Sequence, residues 1–263
     1  MAERALGAGS FATVWLGYDE LLDARVAIKV LADNWSRNAD VRRRFIDEAK
    51  ILRRIDHDRI VRVHSIDELP DGRPFIVMAL ADRGTLHDRL ESVRAHGGMA
   101  IEEALRLAVE ICDALAVVHD FGVVHRDIKP SNVLFRSVRT HERIAAQRRG
   151  RSISDEEIML GDFGLAKDLA AASGFTLAAG TPAYMAPEQA QASSVIDRRV
   201  DVFAATAVLY ELVSGRTAFS SDTLSGVRAS RAGAGPRPIH ELRPGVQNMR
   251  ELLQQMGALH DAV

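Results

Sequence analysis

Hydrophobic and polar positions change their rhythm once along this chain. In the first 80 residues the apolar side chains come in short runs rich in β-branched and aromatic types. FATVWLGYD (11–19) and RVAIKVLA (25–32) read as strands separated by the turn-like LLDA. IVRVHSI (60–66) and PFIVMAL (74–80) read as two more, joined by the turn signal PDG. Between these pairs, VRRRFIDEAKILRRI (41–55) sets Val41, Phe45, Ala49, Leu52 and Ile55 at helical spacing. After ADRGTL (81–86) the rhythm becomes helical. IEEALRLAVEICDALAVVH (101–119) carries Ile101, Leu105, Ala108, Cys112 and Leu115 on one face, and a second apolar helix is expected at 200–213, closed by Gly215. MRELLQQMGAL (249–259) is a third, and the Gly/Pro/Arg-rich 228–244 reads as loop. The pattern predicts a small sheet-rich half followed, from about residues 79–84, by a larger helical half.

Charge and composition mainly exclude. Lys plus Arg is 34 against 36 for Asp plus Glu, a net −2, so the whole chain offers no argument for nucleic acid or an anionic membrane surface. The one cysteine, Cys112, allows no internal disulfide and no cysteine metal cluster, and its place in ICDAL reads as a small core residue, not a nucleophile. The start, MAERALGAGS, lacks the apolar core of a signal peptide. VFAATAVLY (202–210), the longest apolar stretch, falls short of the ~18 residues that suggest a membrane span. The expectation is a cytoplasmic, reducing setting.

Four stretches carry candidate chemistry. In LGAGSFATVW (6–15), Gly7 and Gly9 flank a small residue ahead of a strand, where backbone N–H groups can approach a phosphate without a Cβ in the way; a lone GxG is mostly just a turn. In VAIK (26–29), Lys29 lies inside an apolar strand, which alone suits a solvent-facing lysine. Glu48, however, shares a helix face with Phe45, Leu52 and Ile55, and a carboxylate on an apolar face costs free energy unless paired. Lys29 and Glu48 could pair. HRDIKPSN (125–132) crowds charge around one proline: Asp127 suits a proton acceptor, Lys129 a phosphate neutraliser, Asn132 a neutral oxygen for a hard cation. In GDFGLAK (161–167), Asp162 stands at the end of the apolar IML with a glycine two positions on, a fit to Mg²⁺ or to a plain turn.

Taken in order, these stretches resemble the protein kinase family. GTPAYMAPEQ (180–189) is similar to the end of a kinase activation segment, and DVFAATAVLYELVSG (201–215) to the central helix of the large lobe. HRDIKPSN and GTPAYMAPE resemble the serine/threonine branch, bacterial-type members most closely. The resemblance implies an α+β, bilobal kinase-like fold over 1–263, with a small β-rich N-lobe with one key helix (1–79) and a larger helical C-lobe (80–263).

It also implies roles. ATP would sit between the halves, its phosphates covered by Gly7, Ala8, Gly9, Ser10, Phe11 and the backbone of Ala12. Val14 and Ala27 would contact the adenine from above and Leu134 from below, with Met78 as gatekeeper and Ala79, Leu80 and Ala81 as hinge. Lys29, oriented by Glu48, would hold the α/β-phosphates, while Asn132 and Asp162 bind Mg²⁺. Asp127 would be the catalytic base and Lys129 the γ-phosphate contact; Asp201 would brace the HRD backbone. Leu52, Val63, His125 and Phe163 match the internal spine, and Arg126 precedes the catalytic aspartate as in kinases controlled by activation-segment phosphate. Ser173 and Thr176 are the acceptors to consider, and Thr181 is structural beside Asp127. The partners implied are proteins with Ser/Thr acceptors, and a second copy of the chain for autophosphorylation.

The sequence departs from the family in places. Ala12 replaces the third glycine, Ala79 an acidic hinge residue, and AATA stands where a glycine is usual, near Thr206. From Asn132 to Asp162 is 162 − 132 = 30 positions, more than twice the family spacing; the basic stretch within 136–158 reads as a solvated insertion, or as a docking patch or phosphorylated loop at Ser152 or Ser154. Both ends look short against the family, and Glu188 lacks the arginine that usually pairs with it. Two alternatives stay open beside an active kinase: an ATP-binding pseudokinase or scaffold module, and a small-molecule kinase, against which GTPAYMAPEQ argues.

Overall fold

The computed structural model describes residues 2–9, 11–20, 23–138, 143, 154–163, 182–190, 196–219, 235–246, 250–252 and 254. The chain divides into two compact units: 1–84 with 134–161, and 85–133 with 162–263.

The first unit is built on a five-stranded antiparallel sheet in the order β1-β2-β3-β5-β4, made of β1 (Ala2–Ala8), β2 (Ala12–Asp19), β3 (Ala24–Leu31), β4 (Val63–Glu68) and β5 (Pro74–Ala79). Burial alternates along β3 from Ala27 through Lys29 to Leu31, while β2 buries the adjacent Leu16 and Gly17 and leaves Trp15 exposed. Their register runs unbroken from Ala12↔Leu31 to Asp19↔Ala24. β3 is central, flanked by β2 and β5, and this is the strand that carries Lys29.

A short helix α1 (Asp33–Ser36) leads into α2 (Ala39–Arg54). Asn38 caps α2, its side-chain oxygen accepting from the N–H groups of Asp40 and Val41, both at 3.1 Å. Arg53 and Arg54 in the last turn suit the negative end of the helix dipole. Its buried face is Val41, Phe45, Glu48, Ala49 and Leu52, the predicted face with a carboxylate in the middle. Arg42, on the first turns, donates to the Gly72 carbonyl and to the Glu68 carboxylate on the β4–β5 hairpin.

The predicted strand at 60–66 starts later than its pattern suggests. Ile60 makes a single parallel bridge to Leu160, with Val61 N–H donating to Leu160 O at 2.9 Å, and β4 proper begins at Val63. Leu160 ends β7 (Glu156–Leu160), which pairs with β6 (Val133–Ser137) as a separate two-stranded ribbon. At the far end of that ribbon Val138 N–H donates to Asp155 O at 2.9 Å. The two ends of the stretch between Val138 and Asp155 therefore lie side by side. Ser154 is exposed; Ser152 lies outside the described residues.

The second unit is helical. α3 (Leu86–Val93) was not legible as a hydrophobic period, yet its start is marked in the sequence. Thr85 and Asp88 form a capping box, Thr85 Oγ1 accepting from Asp88 N–H and the Asp88 carboxylate accepting from Thr85 N–H. α4 (Ile101–Asp120) and α5 (Arg199–Ser214) match their predicted spans to within two residues, and they pack on each other. α5 is buried over most of its circumference, with Ala204, Ala205 and Ala207 among the buried set, and ends at Gly215 in the left-handed conformation (φ 68°). Thr206, at the family's glycine position, back-bonds to Val202 O at 2.9 Å.

Cys112 corrects the reading made of it. The buried stripe of α4 runs through Ala104, Leu105, Leu107, Ala108, Ile111, Ala114, Leu115 and Val118, and Cys112 falls one position off it, exposed at the edge. Desolvation by neighbouring side chains, and then the Asp113 charge, raise its pKa, which keeps the thiol protonated and a poor nucleophile. The predicted loop at 228–244 is interrupted by a helical turn, α6 (Ile239–Leu242). Just beyond it Arg243 donates to Gly97 O at 2.8 Å and Met99 O at 2.9 Å, where the backbone crosses Val213 so closely that a Cβ on Gly98 would lie 2.6 Å from its carbonyl. Of the predicted tail helix, Arg250, Glu251, Leu252 and Gln254 are helical and the rest lies outside the described residues. Among the described residues no helix is long and apolar enough to cross a membrane.

Candidate active site

In the first unit the glycine turn joins β1 to β2. Gly7 is opposite Val14, and Gly9 N–H donates to Ala12 O at 2.9 Å, closing the turn. Phe11 and Ala12 are buried; Ser10 lies outside the described residues. From the central strand, Lys29 Nζ reaches Glu48 Oε1 at 2.8 Å, with the two side chains 10% and 2% exposed. The Phe45 ring lies 5.7 Å from the ammonium. Neither charge would be tolerated there alone, so each accounts for the other.

Met78 stands opposite Ala27 on one side and Val63 on the other, and Ala79 N–H donates to Arg62 O at 2.9 Å. Leu80 and Ala81 follow, half buried. Leu134, on β6, approaches Gly161 so closely that a Cβ there would meet Leu134 Cδ1 at 3.2 Å and Val61 Cγ2 at 3.0 Å. Asp82 holds Ser137 by two hydrogen bonds, from the backbone N–H at 2.7 Å and the hydroxyl at 2.6 Å. Burial pushes the Asp82 carboxyl up, but those donors outweigh it and the net shift is downward. Leu52 and Val63 are both core residues of this unit.

The second unit assembles HRDIKPSN around one buried carboxylate. Asp201, fully buried on α5, accepts from His125 N–H at 2.8 Å and Arg126 N–H at 2.7 Å, and pairs with His119 Nε2 at 2.8 Å. Arg126 has φ 67°, a conformation few non-glycine residues adopt, and the backbone on each side of it is held: Gln189 Nε2 donates to Arg126 O at 2.9 Å. The next residue is Asp127. Asn132 Nδ2 donates to both its backbone oxygen and its Oδ2 at 2.7 Å, and Lys129 Nζ is 3.3 Å from the same carboxylate. Ile128, Pro130 and Asn132 are buried, which fixes the loop from below.

Asp162 is exposed and left-handed (φ 58°), and its carbonyl accepts weakly from Asn132 Nδ2 at 3.4 Å. His125 stacks on Phe163, ring centroids 4.2 Å apart. So Asp127, Lys129, Asn132 and the backbone of Asp162 form one cluster. Asn132 commits its amide nitrogen to Asp127, which leaves oxygen as the atom it can offer a cation. Among the described residues no three His, Cys, Asp or Glu side chains gather into a metal cage. One carboxylate and one amide oxygen suit Mg²⁺ that arrives with phosphate oxygens.

Sequence reasoning missed several supports. His119 and Gln189 brace the loop without any pattern of their own. Tyr184 donates to the buried Glu211, whose other oxygen meets Arg94 Nη2 at 3.0 Å. Glu188 is exposed. Ser173, Thr176 and Thr181 lie outside the described residues.

Residues 1–255 match the family model described as protein kinase domain. The serine/threonine-protein kinase PkaA of Streptomyces coelicolor is 36% identical over 252 residues, covering 90% of this chain and 42% of that one. PknJ of Mycobacterium tuberculosis is 34% identical over 250 residues, covering 93% and 39%. The chain thus spans less than half the length of these relatives. In fold, the crystal structure of the Mycobacterium tuberculosis PknI kinase domain matches with a TM-score of 0.70 at 23% identity, covering 98% of this chain and 95% of that one.

Proposed function

Because the chain belongs to the protein kinase domain family, we propose that it is an active serine/threonine kinase, which transfers the γ-phosphate of Mg-ATP to serine or threonine hydroxyls of proteins. The observation that carries this reading is Asp127, held by Asn132 and Lys129 on a loop whose backbone hangs from Asp201. Positioning and charge stabilisation are most of what phosphoryl transfer asks of a protein.

In this reading Asp127 orients the acceptor hydroxyl and takes its proton. As the new oxygen–phosphorus bond forms, the bond from the γ-phosphorus to the β–γ bridging oxygen breaks and ADP leaves. Lys129 neutralises charge on the phosphoryl oxygens in flight. Lys29, held straight by Glu48, grips the α/β-phosphates, and the turn from Gly7 to Ala12 offers backbone N–H groups to the β/γ-phosphates. Val14, Ala27, Met78, Leu80 and Leu134 supply apolar and backbone contacts to the adenine. Asn132 and Asp162 would hold the Mg²⁺, which would supply positive charge against the phosphate oxygens. A second copy of the chain is a natural first substrate.

Intact mass and phosphosite mapping after incubation with Mg-ATP tests this directly, beside an Asp127→Asn control. Phosphate gained on serine or threonine by the unmutated chain alone is the expected result. Nucleotide binding without any gain would replace the enzyme reading by the ATP-binding scaffold.

A further inference from the structure

The tip of the glycine turn is tied to the helix that follows β3. The ladder of β2 and β3 ends with Ala12 opposite Leu31, and the pairing continues one step: Ala32 N–H donates to Phe11 O at 2.8 Å. Ala32 is the residue that caps α1. One turn further, α1 presents Trp35, whose ring centroid lies 5.0 Å from that of Phe11 at an interplanar angle of 31°. Phe11, although it sits in a turn, is only 8% exposed. The turn also closes on itself through Gly9 N–H and Ala12 O, while a Cβ at Gly7 would meet nothing within 4 Å. Packing at Gly7 therefore does not set the shape of the turn. The Gly9–Ala12 hydrogen bond, the ring of Phe11 and its carbonyl do.

We propose that Trp35 is a positioning residue for the phosphate-binding turn, holding Phe11 against α1 so that the turn is set before nucleotide arrives. The proposal rests on the reading of Gly7–Ala12 as the phosphate turn of an ATP site. A glycine turn free in solution must be ordered on binding, and that lost freedom is subtracted from affinity. A ring-on-ring contact to a helix orders it in advance. Trp35 touches no nucleotide in this scheme; it acts through Phe11. Replacement of glycine by alanine at position 12 works in the same direction, because it removes conformations open to the unbound turn. An aromatic pair of this geometry corresponds to roughly 2- to 13-fold in an equilibrium constant, which sets the scale of the effect.

The test is ATP affinity by calorimetry together with steady-state KM and kcat, on the unmutated protein and on Trp35→Ala, Trp35→Phe, Phe11→Leu and the Trp35→Ala/Phe11→Leu double variant. Trp35→Ala is expected to raise Kd and KM for ATP by that factor and to leave kcat nearly unchanged. Trp35→Phe, which keeps a ring opposite Phe11, is expected to recover most of the loss. The double variant should bind no worse than the weaker single one, as two halves of one contact must. Unchanged ATP affinity in a folded Trp35→Ala protein overturns the proposal, as does strict additivity of the two losses. Should Trp35→Ala fail to fold, Phe11→Leu against Trp35→Phe decides: a loss confined to Phe11→Leu supports the latch, and equal affinities remove it. An unmutated protein that binds no ATP overturns the proposed function and the latch with it. Normal binding that all four variants share overturns the latch alone.

Discussion

Two buried carboxylates support the proposed site, and they are held in opposite ways. Glu48 in the first unit has a cation, Lys29, delivered by a neighbouring strand, and the pair exists only while α2 keeps its place against the sheet. Asp201 in the second unit meets three donors, two of them backbone N–H groups, and a left-handed residue is locked beside it. The first arrangement joins two side chains and can be undone by a helix shift. The second is written into the backbone and can be undone only by rebuilding a loop. Few contacts leave an element free to shift, and many hold a loop at one angle.

The sharpest way to break this contrast is to delete each carboxylate. Asp201→Ala strips an acceptor from two buried backbone donors and a histidine, and is expected to destabilise by about 3–5 kcal/mol and to abolish transfer. Thermal unfolding and phosphate incorporation read the two effects. Glu48→Ala leaves the Lys29 charge buried alone, with an expected loss of about 3 kcal/mol. Here the contrast can be sharpened, because the double replacement Lys29→Met/Glu48→Leu should return stability to within about 1 kcal/mol of the starting protein while transfer stays absent. No apolar swap at Asp201 should do the same, since the donors it satisfies belong to the backbone.

Weaker still is the tether of α2 to the β4–β5 hairpin. The Arg42 side chain is 30% exposed and that of Glu68 52%, so Arg42→Ala is expected to cost less than about 1 kcal/mol, and the difference from the unmutated protein should shrink in high salt. A larger drop in kcat/KM than in stability would mark α2 as the mobile part of the pair. The smallest effect concerns pH. Burial first, and then the Glu211 charge, raise the Tyr184 pKa. Its folded-state value exceeds the unfolded one, so its contribution is complete below about pH 10 and fades as pH climbs through the folded value. Denaturant midpoints from pH 8 upward should therefore fall more steeply in the unmutated protein than in Tyr184→Phe.

Much of this was legible before any coordinates. Helical periods gave α2, α4 and α5 because each buries a full face, and the lone glutamate on an apolar face pointed to a partner cation. Strand limits were less readable where pairing departs from simple alternation: Ile60 looks like the start of β4 and instead bridges Leu160 from a distant stretch. The short helices α1 and α3 carry too few turns to show a period, and only the Thr85–Asp88 cap betrays the second. The supports of the loop at Asp127 were mostly hidden. His119, 82 positions from Asp201, acts through that carboxylate, and Gln189, 12 positions away, bonds the Arg126 carbonyl; neither contact leaves a trace in side-chain pattern. Cys112 was misjudged because helical spacing alone cannot tell the centre of a buried stripe from its edge.

The ribbon of β6 and β7 has a consequence for how this chain can change over time. Its open end is closed by the hydrogen bond from Val138 to Asp155, which holds the two ends of the intervening stretch side by side. The entropy of closing a loop rises by only about 0.6 kcal/mol with each doubling of its length. That end of the ribbon is thus a grafting port: sequence can be lengthened, shortened or replaced by a foreign module there, while the strand that leads to Asp162 stays in register.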